Sequence, residues 1–182
     1  MKYKKLTGII LKKQNYKEAD QILTLWTREA GKVRVLAKSI RLPKSKLIYN
    51  LNELASIDME VVGHKNLPVV ISAVCRSRFK NFHTDLIKMG SAFYAAELVT
   101  KITADEHPNL EIYDLLLDFF QNLNDTTSLD HYQIIDEFAL KLTSALGFGR
   151  PEVVRSHLDV RSFIEELLER NLKSETLLNQ II

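Results

Sequence analysis

One cysteine, Cys75, is all the sequence contains, so no intrachain disulfide can close and no zinc site can be built from thiolates. No apolar run approaches the roughly 20 residues that a membrane helix needs. The basic start at residues 1–5 leads into Leu6 to Leu11, too short for a signal-peptide core and broken at once by Lys12 and Lys13. Internal repeats and low-complexity tracts are missing. The five histidines, His64, His83, His107, His131 and His157, have no metal-ligand spacing. A phosphate-cradling glycine loop, a Cys–His pair and a nucleophile elbow are missing too. These absences lead us to expect a soluble cytoplasmic protein in a reducing compartment, not an enzyme, with no cofactor and no metal.

What is present is an uneven distribution of charge. The formal net charge of +2 over 182 residues conceals 17 Lys and Arg against 6 Asp and Glu in residues 1–83, and 8 against 17 in residues 84–182. One half is therefore +11 and the other −9. Such asymmetry points to two units with different partners, the basic one suited to a polyanion. Hydrophobic residues make up 46%, enough for a real core in one or two domains.

The first half reads as strands. Thr7, Ile9 and Leu11 alternate with Gly8, Ile10 and Lys12 at the period of two of a pleated strand. Asn15 to Asp20 is a polar connection. Ile22 to Arg28 and Lys32 to Lys38 form a hairpin through a tight turn at Glu29 to Lys32, with Gly31 available for positive φ. Ser39 to Tyr49 is a loop. Leu54 to Val62 and Val69 to Arg76 are two further strands, with Pro68 at a strand start where its missing N–H is tolerated. Val69, Ile71, Ala73 and Cys75 fall on one face, which predicts a buried thiol. Five strands in about 75 residues suggest a small antiparallel barrel of the OB type, although another small barrel fits the count.

The second half reads as helices. Thr84 or Asp85 caps a helix to about Ile102, with Leu86, Ile87, Phe93, Ala96, Leu98 and Val99 as candidate core. A second follows Pro108 and Asn109. A third starts from Ser128 or Asp130 and runs through Leu146 to a stop at Gly147. Two shorter helices cover about 160–171 and 174–181, and Ser162 with Glu165 has capping-box spacing, as a chance pair also does. The predicted fold class is therefore α+β. Residues 1–80 form a basic OB-fold nucleic-acid-binding domain and residues 81–182 an acidic α-helical domain, with the boundary near Lys80 to Thr84.

On the third strand, Val33, Val35 and Ala37 share a face that must pack inward, which leaves Lys32, Arg34 and Lys38 facing solvent. The adjoining loop adds Arg41, Lys44 and Lys46. OB barrels use such a basic surface as a groove for single-stranded nucleic acid, with aromatic rings as stacking platforms. Tyr16 and Tyr49, in polar segments, are the stacking candidates, whereas Trp26 reads as barrel core. Asp58 and Glu60 share a strand face and could pair on a metal, but a solvated face accounts for them better. In the helical half, Lys141, Arg150 and Arg155 lie beside Phe138, Leu142 and Phe148. Lys141 and Arg150 with Phe138 and Leu142 could capture an acidic, hydrophobic peptide ending in a carboxylate. Ordinary surface charges explain them as well. From the residues alone, a nucleic-acid-binding module stands beside an RNA-binding OB-fold accessory protein and a scaffold whose basic face docks an acidic protein.

The residues Gly8-Ile9-Ile10-Leu11-Lys12, Tyr16 through Glu29, and Gly31-Lys32 resemble the bacterial RecO family of recombination mediators. So does Ala37 through Lys46, with its small-basic-proline-serine-basic character. Glu137-Phe138 to Leu146-Gly147-Phe148 is similar to the family's helix ending in Leu-Gly-aromatic, and Leu172-Lys173-Ser174 to a segment near its C-terminus. The resemblance implies an OB domain followed by a helical domain, without catalysis. It implies binding of single- and double-stranded DNA and annealing of complementary strands. It also implies contact with RecR and with the C-terminal tail of single-stranded DNA-binding protein, to help load RecA on coated DNA, in the nucleoid. Carried over by position, Lys32, Arg34, Lys38, Arg41, Lys44 and Lys46 are the phosphate contacts and Arg28 a weaker one. The sequence departs from the family in two ways. Many members carry a four-cysteine zinc module after the Leu-Gly-aromatic helix, and no cysteine follows Cys75 here. The chain is also shorter than usual for the family.

Overall fold

The alternating segments become five strands, β1 (Tyr3–Tyr16), β2 (Asp20–Thr27), β3 (Gly31–Ala37), β4 (Ser56–Val62) and β5 (Val69–Ser77). In this computed structural model, residues 3–63, 67–126, 130–151, 153–169, 172 and 174 are described. The chain divides into two units, Met1–Arg78 with Ala104–Tyr113, and Phe79–Thr103 with Asp114–Ile182.

In the first unit the strands close into a barrel with the order β1-β2-β3-β5-β4. β1 is long enough to pair antiparallel with both β2 and β4. β3 meets β5 in parallel at a single pair, Leu36 and Val69, which closes the barrel. Inward-facing Leu6, Ile10, Leu23, Leu25, Val35, Ile57, Met59 and Val61 fill the barrel, and Ile40 and Leu51 from the β3–β4 connection join them.

Register shifts reset the alternation at three places, one of them between the pairings Ser56–Ser77 and Ile57–Cys75. β1 shifts register between Ile10 and Lys12, so Leu11 has no partner across β2, and Ile10 faces inward while Lys12 faces out. β5 shifts between its pairings Glu60–Ser72 and Val61–Val70, so Ile71 is the extra residue. This corrects the expected face of β5: Val70 and Ala73 enter the core, whereas Ile71 is 46% exposed. Cys75 is half-buried against the core as a free thiol rather than fully enclosed.

The second unit begins with a 3-10 turn, Lys80–Thr84, and holds α1 (Leu86–Ile102), most of α2 (Leu110–Asp125), α3 (His131–Ala145) and α4 (His157–Leu168). The Asp85 carboxylate accepts from the amides of Ile87 and Lys88, and Asp130 accepts from that of Gln133, so two predicted caps are in place. On α1 the core residues are Ala92, Tyr94, Ala95, Ala96, Leu98 and Val99, whereas Leu86 and Phe93 are exposed. α4 starts before the predicted point. Asp159 reaches back to accept from the amides of Arg155 and Ser156, at 2.8 and 3.0 Å, and Ser162 and Glu165 lie inside the helix. The alternative cap Ser128, the ends of the two predicted C-terminal helices and the connection at 64–66 lie outside the described residues.

The return of residues 104–113 to the first unit has no counterpart in the sequence pattern. Asp105 bridges to Lys32, and the Glu106 amide donates to the Lys32 carbonyl at 2.9 Å. At the end of the segment Tyr113 is buried, near Ser56 and with the Arg28 guanidinium 5.5 Å from the centre of its ring. Burial pushes the Tyr113 phenol above its ordinary value.

Candidate nucleic-acid interface

Cross-strand register decides which side chains share the outer face of β1, β2 and β3. Lys12 pairs with Thr24, and Thr24 with Arg34, so the two cations flank a threonine in one row. The next outward row is Gln14, Ile22 and Leu36, and Tyr16 sits opposite Asp20 where the hairpin turns. Lys38, one residue beyond β3, continues the exposed side. Lys12, Arg34 and Lys38 are all exposed.

The β3–β4 connection stands beside the tip of the β1–β2 hairpin because hydrogen bonds hold it there. Ser39, at φ 53, donates its amide to Asp20 at 2.7 Å. Arg41 donates its amide to the Ala19 carbonyl and its guanidinium to the Glu18 carbonyl, both at 3.0 Å. Ile40, between them, is anchored in the core. The loop therefore projects Lys44 and Lys46 from a fixed base, and both are exposed. Among the described residues, none of Lys12, Arg34, Lys38, Lys44 and Lys46 forms an ion pair.

The stacking candidates sit at the ends of this surface. Tyr16 is 38% exposed with the Lys17 ammonium 5.4 Å from its ring centre. Tyr49 is 70% exposed, and its backbone carbonyl accepts from Arg78 and Asn52, so the ring is presented on a held backbone. Trp26 is buried in the outward row with Ile9 and Lys32 and offers no platform.

Lys32 lies differently from its neighbours. Its side chain is only 12% exposed and its ammonium stands 3.1 Å from the Asp105 carboxylate. The sequence placed it with Arg34 on an open face; the returning segment covers it. Lys13 is also committed, donating to the Leu51 carbonyl at 2.7 Å, and burial holds its ammonium below the ordinary value against the pull of Glu53. Lys12 and Lys17 are cations of this surface that sequence reasoning passed over. The bulge at Leu11, which no residue type announces, turns Lys12 outward.

The opposite side of the barrel balances its own charge. Arg76 donates to Asp58 at 2.6 Å, and Lys5 lies 3.6 Å from Glu60. The Asp58 hydrogen bond raises the Arg76 pKa further. Among the described residues no cluster of three metal-ligating side chains occurs.

In the second unit, a groove of about 390 Å³ runs between α2 and α3, lined by Leu115, Phe119, Ile134, Phe138, Glu137 and Lys141 among others. Of the peptide-site candidates, Phe138 packs at a tilt against Phe119 in its wall and Lys141 stands at its rim, 2.6 Å from Glu137. Leu142 is fully buried, and neither it nor the exposed Arg150 lines the groove. Among the described residues, no helix is long and apolar enough to cross a membrane.

Comparison with known proteins covers both units. The family model "Recombination protein O N terminal" matches residues 1–79, and "Recombination protein O C terminal" matches residues 83–157. Over 142 residues the chain is 32% identical to the DNA repair protein RecO of Clostridium perfringens, covering 78% of this chain and 57% of that one. Over 149 residues it is 28% identical to that of Acetivibrio thermocellus, covering 82% and 59%. Over 117 residues it is 33% identical to that of Heliobacterium modesticaldum, covering 64% and 42%. The chain thus spans about half the length of the curated relatives it matches.

Proposed function

The chain belongs to the RecO family of DNA repair and recombination proteins, and from that premise we propose that it is a DNA-binding recombination mediator whose first unit is an OB-type nucleic-acid-binding barrel. The observation that carries this reading is the outward row of Lys12 and Arg34, continued by Lys38 and the anchored loop, on a barrel whose other side neutralises itself. Unpaired cations on a rigid base cost no broken ion pair when they meet phosphates, and each neutralised phosphate releases counterions. Tyr16 and Tyr49 stack bases with little sequence preference, at about 1–3 kcal/mol per base. Phosphate neutralisation also lets two strands approach, which is what annealing of complementary strands requires. In this reading the protein binds single- and double-stranded DNA and, with RecR, helps RecA load on DNA coated by single-stranded DNA-binding protein. The groove between α2 and α3 takes the acidic C-terminal tail of that protein, its apolar residues against Phe119 and Phe138 and its carboxylate near Lys141.

Fluorescence anisotropy of a labelled mixed-sequence single-stranded DNA, titrated across a salt series, tests the interface. About five phosphate contacts give a slope of log K against log salt of roughly −3 to −4. Arg34→Ala/Lys38→Ala/Lys44→Ala removes three of them and flattens the slope by roughly 2. An unchanged slope in the triple variant places the DNA elsewhere, and tighter binding of single-stranded RNA than of DNA favours an RNA-binding accessory protein.

A further inference from the structure

The basic face stops abruptly at one end. Beyond Arg34 it meets the segment 104–108, which crosses beside the turn between β2 and β3. This is an ordered contact rather than a loose approach. Asp105 bridges to Lys32 in parallel, the Glu106 amide donates to the Lys32 carbonyl, and the His107 imidazole bonds the Asp105 carbonyl at 2.7 Å. Glu106 holds φ 59, left-handed backbone that a glutamate adopts only when its surroundings impose it. Gly31 fits beneath the His107 carbonyl so closely that no Cβ could be accommodated.

Chemically, this segment puts two carboxylates where a strand leaving Arg34 would put phosphates. Asp105 and Glu106 are exposed, and they line an open cleft of about 570 Å³ whose basic walls are Lys4, Lys32 and Arg34. The cleft has the cations to continue a phosphate track, but its acids oppose one. Resting on the proposal that this face binds DNA, we propose that Asp105 and Glu106 form an acidic boundary that ends the nucleic-acid track at Arg34. Asp105 occupies Lys32 as a phosphate would, and Glu106 repels backbone from the cleft. Phosphates then run from Arg34 toward Lys38, Arg41 and the loop, and the number of nucleotides bound is set at this end by the boundary rather than by the limit of basic side chains.

The test is the same salt series with Asp105→Asn/Glu106→Gln, which keeps side-chain shape and the Glu106 backbone hydrogen bond. Asp114→Asn/Asp118→Asn on exposed positions of α2 makes the same change in net charge. The boundary variant should gain about one phosphate, steepening the slope by about 0.7 and tightening binding about fivefold at 0.1 M salt. It should also saturate on a longer minimal oligonucleotide. Lys32→Gln should cost more affinity in the variant than in the wild type, because there the Asp105 carboxylate no longer competes with phosphate for the ammonium. A gain equalled by the α2 control, or no gain, overturns the boundary while leaving DNA binding intact. Absence of salt-sensitive binding in wild type and variant alike overturns the reading of the face itself, and the boundary with it. Matching thermal melts of all variants exclude misfolding as the source of a null result.

Discussion

Gly31 turns the chain from β2 into β3 at φ +66, and a Cβ built there would lie 2.1 Å from the His107 carbonyl oxygen. The left-handed backbone disfavours a side chain and the close approach excludes one, so Gly31→Ala is a change in two places. The left-handed backbone costs a non-glycine residue about 1–3 kcal/mol, and the clash must also push residues 106–108 away from β3. The variant should therefore lose at least that stability in urea unfolding, and lose amide protection at Glu106, whose N–H needs the Lys32 carbonyl. Full protection at Glu106 in a folded Gly31→Ala protein would show that the segment is not seated on the turn. The turn and its glycine were legible in the sequence, since a polar break between apolar runs calls for positive φ. The reason for so tight a fit was not. The same holds for Lys32 and Arg34, two cations on one strand face with opposite surroundings. Period-two reasoning treats them alike, and the carboxylate that distinguishes them arrives from a segment far along the chain.

At the scale of elements, alternation predicted β2, β3 and β4 well because each keeps a single phase along its length. It misread β1 and β5 where a bulge inserts a residue. The consequence for the interface is direct: Lys12 belongs to the row of Arg34 only because Leu11 is skipped. Caps were legible where a short acidic side chain preceded a clear helical run, as at Asp85 and Asp130. They were misplaced for α4, where Ser162 and Glu165 have the spacing but Ser156 and Asp159 have the geometry. The true cap carries a pH signature. Two backbone amides, from Arg155 and Ser156, hold the Asp159 carboxyl below the usual range. A depressed carboxylate contributes stability that is fully present above its unfolded value and is lost as pH falls through the folded one. Acidification below about pH 4 should therefore release the Arg155 and Ser156 amides to exchange before α4 as a whole unfolds. Asp159→Asn should exchange faster at neutral pH and show little of this dependence. Identical exchange in wild type and variant from neutral to acid pH would remove Asp159 from the cap.

Over the whole molecule, charge and periodicity change together near residue 80, and the change divides strands from helices. It says nothing of residues 104–113, which rejoin the first unit after α1. Nothing local could reveal this: Asp105 and Glu106 read as a polar linker, and Ile112 and Tyr113 read as the first turn of an amphipathic helix. Their roles appear only when Tyr113 meets Ser56 and Arg28, and Asp105 meets Lys32. The barrel is thus completed by residues beyond those the N-terminal family model covers. A fragment of residues 1–79 should be less stable than the barrel within the full chain, with the loss concentrated at Ser56, Arg28 and the β2–β3 turn. Tyr113→Ala in the full chain reproduces part of that loss, at roughly 3 kcal/mol for a buried aromatic side chain, whereas Tyr113→Phe, which keeps the ring and gives up only the hydroxyl, should cost about 1 kcal/mol or less. Residue-resolved hydrogen exchange separates these cases. If β2 and β3 are protected equally in the fragment and in the full chain, the returning segment rests on a barrel that is already complete. If protection falls at the turn and at Ser56, the basic face owes its rigidity in part to a segment from the acidic half of the sequence.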